Sequence, residues 1–311
     1  MYNLSSMKLR GLVGVIALAG CAALALPSAQ ATPAGATDGL PIPVPGAAAK
    51  PADSGRRSIE ATSGWNASSS YNAVRYAKLY NTPYVPASGC KRPNVALNTE
   101  ARVRYFETEL ARCLYAAWNP IVWRAGGRYN VKPTLVVHGY TTINTSCGKV
   151  TGPTSFYCST GSGTIYIPWR QIVTYYGQDP TFAVAYATNT IAHEYGHHVQ
   201  SMTSILTASW WRQQHMTGDA ALAESRRREL QASCLGSAYI GANKVAYPMS
   251  GGLLTQWKYV VSHSGDMAGQ PRDHGSWTNH NFWSLAGFNG DGHGTHAGSC
   301  QTWAAAATRI S

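Results

Sequence analysis

The chain has 311 residues and a formal net charge of +11, and only 13% of its residues are charged. This length suits one domain with a sizeable core, and the sequence has no internal repeat, which excludes a solenoid or a propeller. A basic balance carried by few charges favours affinity for an anionic surface such as a cell envelope. We expect no nucleic-acid binding, because the arginine triplet at 226–228 is typical of the solvated face of a helix.

Residues 1–31 have the pattern of an export signal, with Lys8 and Arg10 before an apolar run that is too short for a membrane span. An AxA cleavage site at 29–31 predicts a soluble, secreted protein. The LAGC at 18–21 is instead typical of a lipobox, in which Cys21 is lipidated and attaches a cell-surface lipoprotein to the membrane. An uncleaved signal that stays as an anchor is the third alternative.

Residues 32–64 are rich in Ala, Pro, Gly and Ser and carry almost no large apolar side chains. Such a segment cannot bury a core, so we predict a disordered tether. The folded domain is therefore predicted to span residues 65–311.

The cysteine count also favours export. Seven cysteines less Cys21 leave six, an even number that is typical of disulfides in an oxidising compartment. Zinc ligation by these cysteines is disfavoured because no CxxC pair occurs. Six cysteines allow fifteen pairings. Spacing along the chain suggests Cys90 with Cys113, Cys147 with Cys158, and Cys234 with Cys300. The local bridge between Cys147 and Cys158 is the best supported of the three.

The first half of the domain is predicted to contain helices and a few strands. In chain order these are a short helix over 71–80, a helix over 99–118, and strands over 135–138 and 164–167. We expect Pro120 to end the longer helix, because proline cannot donate a backbone hydrogen bond. Between the strands Gly, Ser and Thr dominate, so the Cys147–Cys158 segment is predicted to be a loop closed by its disulfide.

A helix over residues 179–202 carries the main chemical motif, and its Asp-Pro start suits an N-cap followed by a first turn. His193, Glu194 and His197 form HExxH, which places two imidazoles one turn apart on the same face, where they can bind one Zn²⁺ ion. A hydrolytic zinc site takes three protein ligands and leaves the fourth position to water. Glu194 is placed to take a proton from that water.

The third zinc ligand is predicted on a second helix, which begins near the N-cap Asp219 and ends near Gly241. Glu229 lies close to the apolar face of this helix, where a buried carboxylate is unfavourable unless a cation compensates it. Glu224 stands beside the arginine triplet, and we interpret it as a solvated surface charge. Glu229 is therefore the predicted third ligand.

Two further helices are predicted, over residues 249–262 and 276–288. His274, just before the second of them, is a candidate donor to the oxyanion that forms when a peptide is attacked. A helix-capping or surface role suits His274 equally well at this stage. His138, at the end of a strand, is interpreted as structural or exposed rather than as a remote ligand.

Several motifs follow one another in an order that resembles the bacterial putative neutral zinc metallopeptidase family. They are HEYGHHVQ at 193–200, ELQASC at 229–234, HGS at 274–276, WSLAGF at 283–288 and CQTW at 300–303. The resemblance covers about residues 99–303. It implies an α+β, mainly helical, zincin-like domain with a small β-sheet, a Zn²⁺ cofactor and hydrolysis of a peptide or protein substrate.

Two positions depart from the family pattern. The family usually has an aspartate where this chain has Ser233, and the resemblance implies that this group holds a ligand imidazole. Ser233 can accept the same hydrogen bond, but without charge. The family tends to carry an arginine where this chain has His280, which we expect to replace the arginine only when it is protonated.

The sequence therefore predicts an exported zinc metallopeptidase with Glu194 as its general base. One alternative is a catalytically silent, zinc-stabilised binding module at the cell surface, which Ser233 and His280 permit. The other is a hydrolase of cell-wall peptides, which the basic charge permits.

Overall fold

The structure, a computed structural model, describes residues 64–267 and 272–311. The predicted export signal and nearly all of the predicted tether lie outside the described residues. The helices are α1 (Ala67–Arg75), α2 (Glu100–Arg124), α3 (Trp169–Gln178), α4 (Pro180–Met202), α5 (Ile205–Gln214), α6 (Gly218–Ala242), α7 (Gly251–Ser262) and α8 (Trp277–Asn289). The strands are β1 (Thr134–His138), β2 (Thr142–Thr145), β3 (Gly148–Thr151), β4 (Phe156–Cys158) and β5 (Thr164–Pro168). The predicted mainly helical α+β class is confirmed.

Helix α4 occupies the centre of the domain. The carboxylate of Asp179 accepts hydrogen bonds from the amides of Thr181 and Phe182, at 2.8 and 3.0 Å, so the predicted cap and start are confirmed. Nearly every residue from Phe182 to Met202 is buried, because α2, α3, α6 and α7 pack around this helix. Polar side chains on α4 are thereby held away from bulk water.

The sheet lies beside this helical core, with strand order β1-β5-β4. β1 is parallel to β5 and β4 is antiparallel to it, while β2 and β3 form a separate hairpin. The prediction of a plain loop between Cys147 and Cys158 is therefore wrong, since the segment contains β3 and ends with β4. Val150, Phe156 and Tyr166 are buried together in a small second core, which favours strands in spite of the polar composition.

Pro120 does not end α2, which continues to Arg124. Ile121 and Val122, just beyond the proline, are buried in the main core. Their burial offsets the hydrogen bond that proline cannot donate.

Helix α6 is more buried than its sequence suggested, so two predictions are wrong. Glu224 is not a solvated charge: its carboxylate lies 3.1 Å from Nε of Arg212 and accepts a hydrogen bond of 2.8 Å from Nε1 of Trp303. The arginine triplet is not a solvated face either, because Arg226 and Arg228 are buried. Helix α5 and the C-terminal segment cover this part of α6 and supply the partners.

The structure contains the three predicted disulfides, Cys90–Cys113, Cys147–Cys158 and Cys234–Cys300. The last of these links α6 to the C-terminal segment. Within residues 64–267 and 272–311, no helix combines the length and the hydropathy needed to cross a membrane.

Candidate metal centre

Three side chains from two helices converge at one point. Oε2 of Glu229, on α6, lies 3.1 Å from Nε2 of His197 and 3.4 Å from Nε2 of His193, both on α4. A tetrahedral zinc ion with bonds of about 2.0–2.1 Å holds neighbouring donor atoms about 3.3 Å apart. The observed separations fit that geometry, and two imidazoles with one carboxylate are a donor set that zinc accepts.

The surroundings of Nε2 of His193 also indicate whether a zinc ion fits between these three side chains. This atom is buried and has no hydrogen-bond partner among the described residues. A buried polar atom without a partner is unfavourable in a folded protein, unless an ion or a water molecule completes its coordination. Zn²⁺ bound between the three side chains would complete it.

The second imidazole is oriented by a neighbour that the sequence analysis missed. Nδ1 of His197 lies 2.9 Å from Oε1 of Gln200. The amide nitrogen of Gln200 donates to the carbonyl of Arg228, at 2.8 Å, and to Gln231, at 3.0 Å, so Oε1 is the acceptor for His197. His197 therefore carries its proton on Nδ1 and presents Nε2 to Glu229. The available signal was the position of Gln200 three residues after a ligand, on the same helix.

Ser233 lies behind His193, as the resemblance implied, and His280 lies next to Ser233. Oγ of Ser233 is 3.0 Å from Nδ1 of His193 and 3.1 Å from Nδ1 of His280. His280 was expected to replace the arginine only when protonated, and its burial opposes protonation. Burial, together with the neighbouring His193 and His274, lowers the pKa of His280 to about 3, so this imidazole is neutral at physiological pH.

Glu194 is buried next to the two ligand histidines. Burial raises the pKa of its carboxyl group to about 8, although His197 and a hydrogen bond from the backbone of Tyr157 act in the opposite direction. Burial alone would also raise the pKa of Glu229. The nearby His197 and the close contacts with both imidazoles more than offset that effect, and they hold the pKa of Glu229 well below its usual range.

His274 is largely buried at the edge of the same centre, so a surface role does not describe it. Its Nδ1 lies 2.7 Å from Oδ1 of Asp273, and its backbone amide donates to Asp266 at 3.0 Å. Its imidazole is close enough to influence the pKa values of Glu194 and Glu229. Neither aspartate was predicted from the sequence, although an acid directly before a candidate histidine is a readable signal.

The pKa of His274 is raised above its ordinary value. Burial acts to lower it, but the hydrogen bond to Asp273 and the negative charges of Glu229 and Asp266 more than offset that effect. Because Nδ1 donates to Asp273, the protonated ring also has an N–H at Nε2.

Two other residues of interest lie outside the centre. His138 belongs to no candidate metal group within the described part of the chain, and its ring stacks on Tyr140. Tyr195, inside the HExxH motif, is buried in the main core and contacts His198, as expected of a residue on the opposite side of the helix from the zinc ligands.

Comparisons with known proteins agree with this geometry. A family model described as putative neutral zinc metallopeptidase matches residues 86–254, more than half of the chain. The matched range contains His193, Glu194, His197 and Glu229, and it ends before His274.

The chain is also similar to the uncharacterized protein YpfJ of Escherichia coli strain K12 and to its counterpart in Escherichia coli O6:H1. Each is 34% identical over 123 residues, a stretch that covers 38% of this chain and 40% of the relative. The chain thus matches less than half the length of these relatives. No solved structure matches it significantly. On the family match and the arrangement of its motifs, the chain belongs to the putative neutral zinc metallopeptidase family.

Proposed function

We propose that this protein is an exported, zinc-dependent peptidase in which His193, His197 and Glu229 hold the metal and Glu194 is the general base. The observation that carries the proposal is the approach of Oε2 of Glu229 to Nε2 of both histidines, at 3.1 and 3.4 Å. A largely buried carboxylate and two buried imidazoles at these distances suit a divalent cation better than a packed core.

The residues of the centre divide the chemistry between them. Zinc, when bound, polarises the carbonyl of the scissile peptide and lowers the pKa of the attacking water. Glu194 takes the proton that this water releases and passes it to the leaving amine. Its raised pKa, about 8, suits a group that must both accept and return a proton near neutral pH.

His274 is the proposed donor to the carbonyl oxygen as that oxygen gains negative charge. Its pKa is raised, with the hydrogen bond to Asp273 opposing the effect of burial, which favours the protonated ring and its Nε2–H donor. A donor oriented in advance toward a developing charge lowers the barrier without reorganisation.

The export proposal is supported by the three disulfides, because such bonds persist in oxidising compartments. Soluble secretion and lipid attachment at Cys21 differ in one testable way. Wild type and Cys21→Ala fractionate alike if the protein is secreted in soluble form, whereas only the variant leaves the membrane fraction if Cys21 is lipidated.

The test of the peptidase uses the zinc-loaded full chain and a peptide library. We expect cleavage that a chelator abolishes and added zinc restores. Glu194→Gln should lose cleavage and keep one zinc per chain, whereas Glu109→Gln, which changes a half-buried glutamate on α2, should keep both the cleavage and the zinc. Cleavage by the Glu194→Gln variant would exclude the proposed base. A zinc-loaded wild type that cleaves nothing would leave the catalytically silent binding module as the better account.

A further inference from the structure

Four polar groups form one continuous row of hydrogen bonds behind the metal centre. The row runs from Nδ1 of His193 to Oγ of Ser233, at 3.0 Å, and on to Nδ1 of His280, at 3.1 Å. It ends where Nε2 of His280 lies 3.0 Å from the backbone carbonyl oxygen of His274. We call the two middle side chains the Ser233–His280 relay.

We propose that this relay fixes His193 in the tautomer that carries its proton on Nδ1, so that the Nε2 lone pair faces the metal position. The inference rests on the proposed zinc site and adds the positioning residues that prepare one of its ligands. The direction of every hydrogen bond in the row follows from its last acceptor.

A carbonyl oxygen can only accept, so Nε2 of His280 must carry a proton and donate to His274. His280 is 1% exposed, and its ring forms no ion pair with a carboxylate among the described residues, so the ring is neutral and has one N–H. Its Nδ1 is therefore a lone pair, which accepts the hydroxyl proton of Ser233.

Once the hydroxyl proton of Ser233 is directed at His280, only its oxygen lone pairs face His193. Nδ1 of His193 must then donate, which leaves Nε2 without a proton. Nε2 of His193 is one of the buried side-chain atoms that have no hydrogen-bond partner within residues 64–267 and 272–311. The relay thus accounts for both nitrogens of this imidazole.

The packing around His280 keeps the relay in place. A Cβ atom at Gly265 would collide with Cδ2 of His280, so the absence of a side chain there makes room for the ring. Ser233 lies on α6, one turn after the ligand Glu229, and His280 lies on α8, which packs closely against α6. Two helices therefore set the orientation of a ligand on a third.

A neutral relay specifies the tautomer of the ligand imidazole, and it adds no charge next to the metal. Because Ser233 and His280 are joined by a hydrogen bond, they act on His193 as one unit.

The test is nitrogen-15 NMR of histidine-labelled full chain, both zinc-loaded and chelator-treated, with assignment by single His→Gln variants. We expect His280 to carry its proton on Nε2 in both forms, and His193 to carry its proton on Nδ1 even in the chelator-treated form. A wild-type spectrum with His280 protonated on Nδ1, or with chelator-treated His193 protonated on Nε2, would overturn the proposal without any variant.

Variants add a second measurement. Ser233→Ala should weaken zinc binding, measured by chelator competition, by about 10- to 100-fold, and should give a mixture of His193 tautomers. His197 is an internal control, because Gln200 sets its tautomer separately. Ser233→Thr, which keeps the hydroxyl, should restore most of the affinity.

Ser237→Ala is the matched control, because Ser237 is a buried serine one turn further along α6. Zinc affinity of Ser233→Ala within about twofold of this control would contradict the relay. None of these readouts depends on cleavage. If the tautomers and affinities are as expected and no peptide is cleaved, the peptidase proposal fails and the relay stands.

Discussion

Gly196, in the middle of α4, lies directly against the backbone carbonyl of Ala232 on α6. A Cβ atom at position 196 would collide with that carbonyl oxygen, and a Cβ atom at Gly236 would collide in the same way with the carbonyl of Ala192. The two helices therefore cross at a distance that only glycine permits. This close crossing is what brings Glu229 within reach of the histidines of HExxH.

Gly196→Ala should push α4 and α6 apart. We expect a loss of stability of about 1–3 kcal/mol, as for other overpacked cores, together with weaker zinc binding. Thermal unfolding and chelator competition measure the two effects. Gly177→Ala is the control, since it is also a helical glycine but has no atom within 4 Å of its Cβ position. A Gly196→Ala protein that binds zinc as tightly as wild type would show that the crossing distance does not set the site.

His274→Gln should lower kcat by about 10²- to 10³-fold with the zinc content unchanged, because it removes the proposed donor to the oxyanion. Asp273→Asn should have a smaller effect that depends on pH. Asp273 helps to raise the pKa of His274 against the effect of burial, so its loss lowers that pKa, and activity should disappear at a lower pH than in wild type.

The control for these variants is Asp291→Asn, which changes an exposed aspartate that pairs with His296 at 3.3 Å. It should leave the pH profile as it is. An unchanged kcat for His274→Gln at every pH would remove His274 from the mechanism.

Glu224→Gln tests the buried ion pair on α6. The substitution weakens the contacts with Arg212 and Trp303, and we expect it to reduce the free energy of unfolding by about 1–3 kcal/mol. Zinc content should stay at one ion per chain, because Glu224 is not a proposed ligand. Glu109→Gln, which disrupts the surface ion pair with Arg112, should alter stability by less than about 1 kcal/mol. Denaturant titration compares them, and equal effects would mean that Glu224 is as solvated as its sequence context suggested.

Glu107, on α2, has a pH-dependent effect that can be predicted from its burial. Neither carboxylate oxygen has a hydrogen-bond partner among the described residues, and burial raises the pKa well above its ordinary 4.5. Above pH 4.5 the unfolded chain releases the proton of Glu107, whereas the folded protein keeps it. The contribution of protonated Glu107 to the free energy of unfolding is therefore complete below pH 4.5 and is lost as pH rises.

Glu107→Gln should therefore be more stable than wild type at neutral pH, with a difference that grows by up to about 1.4 kcal/mol per pH unit above the unfolded pKa. The two proteins should converge in acid. Melting temperatures of both proteins from pH 4 to pH 8 provide the measurement. A difference that does not change with pH would mean that Glu107 has a partner for its charge.

The features that sequence predicted are those set by short-range geometry. The Asp179 cap and the spacing of His193 and His197 depend only on residues within one helix, and α4 forms as expected. Glu229 was proposed as a ligand because a carboxylate near an apolar face requires a partner. Spacing along the chain suggested the disulfide pairs that the structure contains, although it left fifteen pairings open.

The features that sequence did not predict depend on partners far away in the chain. The burial of Glu224 depends on Trp303, and the neutrality of His280 depends on its enclosure by α6 and the loop before α8. Likewise, Pro120 stays within a helix because the residues beyond it enter the core. No local pattern reports such contacts.

The most direct test of the central claim is the zinc stoichiometry of the purified full chain and of matched variants. We predict one zinc per chain in wild type, its loss in His193→Gln, His197→Gln and Glu229→Gln, and its retention in His138→Gln and Glu224→Gln. If any of the first three variants binds one zinc as tightly as wild type, the ion is not held where α4 and α6 cross, and the proposed site is wrong.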